Sequence, residues 1–396
     1  MKKLSTATPL SDSIRSIPAP QRVRIALGRG HTPAVKRKQV VGKGQVLAET
    51  TSSGPFGVGF VHATIDGIVE DILPEAIIIG PIPSPGEGKE APVPERPGRA
   101  EHKNLADEAL VRWLREMGID TSRFHPSRTV VVNGLNPEPG AFLSEQLLRD
   151  ERATLDAGIN LLERAVRPGN VHLVVARGSG YGLHGAHVVE TDPDYPFTLD
   201  ALAAVTATGS ENPEATDVIS VADLYRVGRV ATTGLPLTEA VLTVEGHAVR
   251  VPTGTPIVEV LDALGVQVPA GATVALGGPM TGEAISSLDI GVPENCTAIT
   301  IVPPGRYPQV GPNPCINCGE CVLVCPARIQ PGMLSRYAEF ALFEETRPRH
   351  IAACVECGMC TYVCPANRPV LQYIRLAKHK LEEQDAFVAT CRLQDE

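Results

Sequence analysis

Eight of the ten cysteines in this 396-residue chain lie between Cys315 and Cys364, and they constrain its folding more than any other feature. They form two runs: CINCGECVLVCP, with Cys315, Cys318, Cys321 and Cys325, and CVECGMCTYVCP, with Cys354, Cys357, Cys360 and Cys364. Each run reads C-x2-C-x2-C-x3-C-P, and the second repeats the first at an offset of 39 residues at all four cysteines. Thiolates three residues apart on a turning backbone reach three corners of one [4Fe–4S] cube. The fourth cysteine, which leaves in another direction before Pro326 or Pro365, reaches the other cube. The spacing therefore predicts two [4Fe–4S] clusters. One would use Cys315, Cys318, Cys321 and Cys364; the other would use Cys354, Cys357, Cys360 and Cys325. Gly319 and Gly358 fall inside the loops, where a missing Cβ lets the chain turn tightly.

Structural zinc would need four ligands per site, usually as paired C-x2-C, and leaves the third cysteine and the Cys-Pro of each run unexplained. Disulfides belong to oxidising compartments. The first residues, MKKLSTATPLSDSIRSIP, have no apolar core after their lysines and so do not read as a secretory leader. No run approaches the roughly 18 to 20 apolar residues that span a bilayer. The expectation is a cytoplasmic chain without a transmembrane helix. Cys296 and Cys391 stand outside the pattern and read as buried or incidental thiols. A formal net charge of -9 repels phosphate backbones, so nucleic acid is not an expected partner.

The rest of the chain reads as a multidomain α+β protein. Residues 1–85 contain short Val/Ile-rich runs around Gly42-Lys43-Gly44 and Asp66-Gly67, similar to a barrel-sandwich hybrid of the biotinyl and lipoyl type. ATIDG lacks the modifiable lysine of those domains, so a structural role is expected, with His62 in the core. Residues 86–103 are dense in Pro, Gly and charge and read as a linker. Over 104–235 helical and strand patterns alternate, which predicts a Rossmann-like α/β layer with a parallel sheet. Within it Gly180-x-Gly182-x-x-Gly185 follows a strand. No helix pattern comes after it, so it reads as a glycine-rich turn rather than a dinucleotide fingerprint. His184 and His187 lie in this loop, a candidate metal pair without a third ligand. Residues 236–305 read as a β-grasp: two strands joined at Glu245-Gly246, a helix IVEVLDALG, and a strand ending in GGPMTG. Residues 306–396 form the two-cluster, ferredoxin-like helical domain, with helices expected at MLSRYAEFALFEE and VLQYIRLAKHKLEEQ. Arg375, Lys378 and Lys380 on the latter offer either a docking face or a solvated one.

This order of parts resembles the C subunit of Rnf-type ion-translocating electron transport complexes. The likeness is most specific at 315–381, at GGPMTG, and at GKGQVLAET with VHATIDGIV. It implies a soluble-ligand-binding β-grasp (SLBB-like) domain and a peripheral position on the cytoplasmic face of the cell inner membrane. It also implies partnership with the other subunits of a membrane-bound complex, and electron transfer coupled to Na⁺ or H⁺ movement. A redox protein such as a ferredoxin, cytochrome or flavoprotein would be the electron partner. In that family FMN and NADH lie over a Gly-rich turn and an N-x-x-E-x-E-P segment. Asn133, Glu138 and Pro139 match the segment, but Asn136 replaces its first acidic residue, and TSRFHPSR stands where the Gly-rich turn is expected. The site thus reads as degenerate, with Asn133 and Glu138 as its remaining cofactor-binding candidates. The chain is expected to act as a subunit of an oxidoreductase without a complete active site of its own. The alternative is a soluble two-cluster adaptor between a redox enzyme and a carrier, with no ion translocation.

Overall fold

The computed structural model of the protein describes residues 4–28, 30–50, 54–83, 93–126, 128–211 and 213–394, with side chains in the last helix described to residue 387. Residues 86–92 of the expected linker and the side chain of Cys391 lie outside the described residues.

Two antiparallel sheets make up the first unit. One takes strands Val23–Ala26, Ala76–Gly80, Gly67–Leu73 and Val40–Val41; the other takes His31–Pro33, Val46–Thr50 and Val61–His62. Alternation along these strands turns Val23, Ile25, Val41, Leu47, Val69, Ile77 and Ile79 into a common core. His62 is buried, and loss of hydration pushes its ring pKa down to about 4, which keeps it neutral.

Residues before this unit do not join it. Leu4–Ser5 pairs with Asp194–Tyr195, and Ile14–Ser16 adds a parallel edge strand beside His247–Pro252. The expectation of one unit over 1–85 therefore needs its first boundary moved to about residue 20. These early strands are satisfied by distant partners rather than by their sequence neighbours. The described part of the expected linker is also packed: the Ala100 amide donates to the Gly234 carbonyl at 2.7 Å, and Arg96 pairs with Asp66.

Helix α1 (Asp107–Glu116) leads into a four-stranded, wholly parallel sheet in the order His187–Thr191, Asn170–Ala176, Thr129–Asn133, Thr216–Ser220. Helices α2 (Leu143–Asp150) and α3 (Arg152–Val166) follow Thr129–Asn133, α4 (Asp200–Thr208) precedes Thr216–Ser220, and α5 (Val221–Thr233) follows it. Val130, Val132, Leu173 and Val175 face α1, α2, α3 and α5, while Val131, Val174 and Ala176 face Ala203 of α4. The β-branched runs thus bury both faces, as a parallel sheet requires. Ser220 starts α5 with a capping box to Asp223. After Ala176 the chain crosses to His187 through an irregular segment with no helix, so Gly180, Gly182 and Gly185 lie in a turn.

Next comes a six-stranded mixed sheet built on the hairpin Glu239–Val244 and His247–Pro252, with Thr273–Leu276, Glu283–Ala284 and Ala298–Val302 beside it and α6 (Ile257–Leu264) packed on one face. It meets the first unit directly. The Arg24 amide donates to the Gly254 carbonyl at 2.8 Å, and the Thr64 hydroxyl donates to the Thr253 carbonyl at 2.7 Å.

The last unit contains α7 (Glu320–Leu323), α8 (Pro331–Glu339), α9 (Met359–Tyr362) and α10 (Val370–Gln394). Among the described residues no helix is long and apolar enough to cross a membrane.

Candidate metal centre: two cysteine pockets

The sequence repeat is also a conformational repeat. Asn317 and Glu356 both take left-handed backbone (φ 54° and 55°), as do Gly319 and Gly358 (82° and 72°) and Arg328 and Asn367 (55° and 51°). Each pair is 39 residues apart, and the four-residue helices α7 and α9 begin at the same offset. A left-handed residue after the first cysteine and another after the second wrap each loop around one point. The expected helix at 333–345 ends early, at Glu339. Ala341 turns left-handed (φ 56°), and the chain continues as a 3₁₀ segment, Glu344–Arg349, that contains Pro348.

Two separate cavities result. Cys315, Cys318, Cys321 and Cys364 line the first, an open space of about 400 Å³ also bordered by Gly332, Met333, Tyr337 and Phe340. Cys325, Cys354, Cys357 and Cys360 line the second, which is smaller and bordered by Pro326, Pro331 and Leu371. The fourth cysteine of each run thus sits with the first three of the other. Among the described residues no three His, Cys, Asp or Glu side chains converge as the ligands of a single metal ion. Each set of four thiols lines its own cavity, and four thiolates per site is the donor set of a [4Fe–4S] cluster.

The cavities differ in exposure. Cys318 is exposed, and the exposed Ile316, Val322, Phe340 and Leu342 line the same cavity. Cys357 and Cys360 are buried, and Cys357 packs with Tyr195, Val324 and Met359. Burial pushes the Cys357 thiol up to about 11 and raises Cys360, Cys354 and Cys321 as well. Cluster assembly must therefore expel protons from these thiols, and iron supplies the charge that keeps them as thiolates. Backbone amides assist: those of Gly332, Glu356 and Met359 donate to Cys321, Cys354 and Cys357. A Cβ on Gly332 would lie 3.1 Å from the Cys321 sulfur, a contact tight enough that a larger residue would push the sulfur by a few tenths of an ångström.

Charged side chains lock the domain. Arg368, after the second run, is nearly fully buried; it pairs with Glu339 of α8 at 2.7 Å and donates to the Asn313 carbonyl before the first run. Glu339→Leu should strand this guanidinium and lower stability by about 3 kcal/mol in chemical denaturation, without changing any cysteine. Arg375 and Lys378 also turn inward. Both pair with Glu356, at 2.9 and 2.8 Å, and Lys378 donates to the Cys354 carbonyl. They brace the second loop rather than forming a docking face, whereas Lys380 pairs with Glu383 on the exposed side.

Asn133 and Glu138 lie at the carboxyl end of the parallel sheet, and both are committed internally. Asn133 Nδ2 donates to the Thr198 carbonyl and to Asp200, both at 2.9 Å, and its Oδ1 accepts from the Leu135 amide. The Glu138 carboxylate accepts from the Met280 and Thr281 amides and the Thr281 hydroxyl. Asn136 bonds Glu145. Beside these residues, Asp120, Asp200, Asp223 and Glu294 line a cavity of about 310 Å³ together with Arg123 and Arg226, and burial pushes the Glu294 carboxyl up to about 7. Cys296 is buried and donates to the Ala298 carbonyl, away from both cysteine pockets. The His172 and His187 rings lie 5.9 Å apart, tilted by 41°, on adjacent strands.

The model of the 4Fe-4S dicluster domain family matches residues 306–368, the stretch that holds both cavities. The C subunit of the ion-translocating oxidoreductase complex of Rhodobacter capsulatus is 28% identical over 94% of this chain and 80% of its own length. The chain's curated homologues are C subunits of ion-translocating oxidoreductase complexes. The C subunit of the proton-translocating ferredoxin:NAD(+) oxidoreductase complex of Clostridium ljungdahlii is 28% identical over 90% of this chain and 86% of its own. Against the corresponding C subunit of Klebsiella pneumoniae, also 28% identical, the whole chain aligns but spans only 58% of that protein. Among solved structures, an NAD+-reducing [NiFe]-hydrogenase in the air-oxidized state matches with a TM-score of 0.41 and 16% identity, over 62% of this chain and 54% of its own. A 4Fe-4S dicluster domain in such a homologue fits an iron–sulfur electron-transfer subunit of an oxidoreductase complex.

Proposed function

We propose that the chain carries electrons through two [4Fe–4S] clusters as a peripheral subunit of a membrane-associated, ion-translocating complex. One cluster would be held by Cys315, Cys318, Cys321 and Cys364, the other by Cys354, Cys357, Cys360 and Cys325. The observation that carries this reading is the sorting of eight thiols into two sets of four around separate cavities. The clusters supply one-electron chemistry; the chain's own residues set access, charge and spacing. The outer pocket, with Cys318 exposed inside an apolar rim, is where a redox protein partner approaches. The inner pocket faces the sheets that the complex would contact. In this assignment the units are a barrel-sandwich hybrid over about 20–85, a Rossmann-like layer over 104–235, an SLBB-like β-grasp over 236–305 and the cluster domain over 306–396.

The residues at the carboxyl end of the parallel sheet do not fit FMN. Asn133 and Glu138 already spend their polar atoms on internal partners, and the adjoining cavity has more carboxylates than guanidiniums, which repels a phosphate.

Anaerobically purified protein should contain about eight irons and about eight sulfides per chain. Zinc in their place would overturn the reading. Co-purification with integral membrane subunits separates it from the soluble adaptor, which would be isolated active and alone.

A further inference from the structure

We infer that Glu138 is a positioning residue for the inner cluster: it seats the Gly277–Gly282 turn over the second cysteine loop, and its negative charge holds that cluster's reduction potential low. This rests on the ligand sets proposed above.

Glu138 is 3% exposed. One oxygen accepts from the Met280 amide at 2.6 Å, the Thr281 amide lies 3.2 Å from both oxygens, and the Thr281 hydroxyl donates as well. A Cβ on Gly278 would collide with this carboxylate, so the turn can close on Glu138 only with glycine there. The far side of the same turn touches the cysteine loop. The Met280 carbonyl lies 2.8 Å from where a Cβ on Gly358 would stand, and the Met280 side chain packs with Tyr195, Cys357 and Met359. Arg375 donates to the Thr281 carbonyl at 3.2 Å while pairing with Glu356, between Cys354 and Cys357. The Tyr195 hydroxyl donates to the Cys357 carbonyl. Glu138 is thus one hydrogen-bonded step from the cover of the inner cavity. Charge-assisted bonds of this kind are roughly twice as strong as neutral ones. Where water is excluded, a fixed negative charge opposes the arrival of an electron.

The test is Glu138→Gln in the full chain, purified anaerobically. The amide keeps the shape and removes the charge; its one oxygen can still face the Met280 and Thr281 amides, and its NH2 then meets the Thr281 hydroxyl, so the charge-assisted bonds become neutral ones. The inner cluster should then become easier to reduce, with about a tenfold higher reduced-to-oxidised ratio at a fixed poise near its midpoint, while the outer cluster titrates as in the parent chain. Loss of inner-cluster iron to a chelator should become about tenfold faster. Two clusters with unaltered potentials and unaltered chelation rates would overturn the inference. If the variant assembles no inner cluster, Thr281→Val decides. It removes one donor and leaves the charge, so faster chelation with an unmoved potential is expected, and an unchanged rate refutes the latch. A parent chain without iron would instead defeat the cluster assignment itself, a separate outcome read from the same iron analysis.

Discussion

Cys325→Ser is expected to destroy the inner cluster, although Cys325 belongs to the first run, and Cys364→Ser is expected to destroy the outer one. Each change should lower iron from about eight to about four per chain and stop electron passage through the domain. The C-x2-C-x2-C-x3-C-P spacing already predicts this crossing, with the fourth cysteine of each run serving the other cluster. The fold favours it too, since Cys364 lines the cavity of Cys315, Cys318 and Cys321, and Cys325 lines that of Cys354, Cys357 and Cys360. The physical reason is the proline after each fourth cysteine. Pro326 and Pro365 end the short helices α7 and α9 and send the chain away from the loop that precedes it. The readout is a comparison of spectra. Low-temperature spin resonance of Cys325→Ser should match that of Cys357→Ser, and Cys364→Ser should match Cys318→Ser. The opposite pairing would show that the runs do not cross.

The cysteine pattern is legible because its chemistry is local: three ligands of one cube must come from a single turn, so spacing encodes geometry. The hairpin at Glu245-Gly246 is legible for a similar reason, a tight turn between two alternating runs. Features that depend on partners distant in the chain are not. Nothing local in Ile14–Ser16 announces that it will extend a sheet beside Ala248–Arg250. Glu138 stands out in the sequence only by its resemblance to a flavin segment, yet its partners are Met280 and Thr281, more than 140 residues onward. The one signal of them is GGPMTG itself, whose glycines mark a turn that something must approach closely. Arg375 and Lys378 are visible in the sequence as charge on a helix. Only the packing of α10 on the second loop brings Glu356 to them and takes them out of any docking face.

Controlled oxidation or chelation of the native protein should remove iron in two phases of equal size, the outer cluster going first and the inner following at least about tenfold more slowly. The outer cavity is open, and Cys318 reaches solvent beside exposed Ile316 and Phe340. The inner pair Cys357 and Cys360 is 8% and 7% exposed, beneath Tyr195, Met359 and the Met280 turn. A small oxidant needs only a brief approach to the outer sulfurs. At the inner ones it needs an opening of the cover that Glu138, Arg375 and Tyr195 hold in place, and the cost of that opening divides directly into the rate. In the proposed function the same asymmetry would give the electron a direction, with a redox partner at the exposed rim and the rest of the complex at the covered side. Loss in a single phase, or loss of the inner cluster first, would mean that the two cavities exchange with solvent alike, and the outer-to-inner ordering would have to be given up.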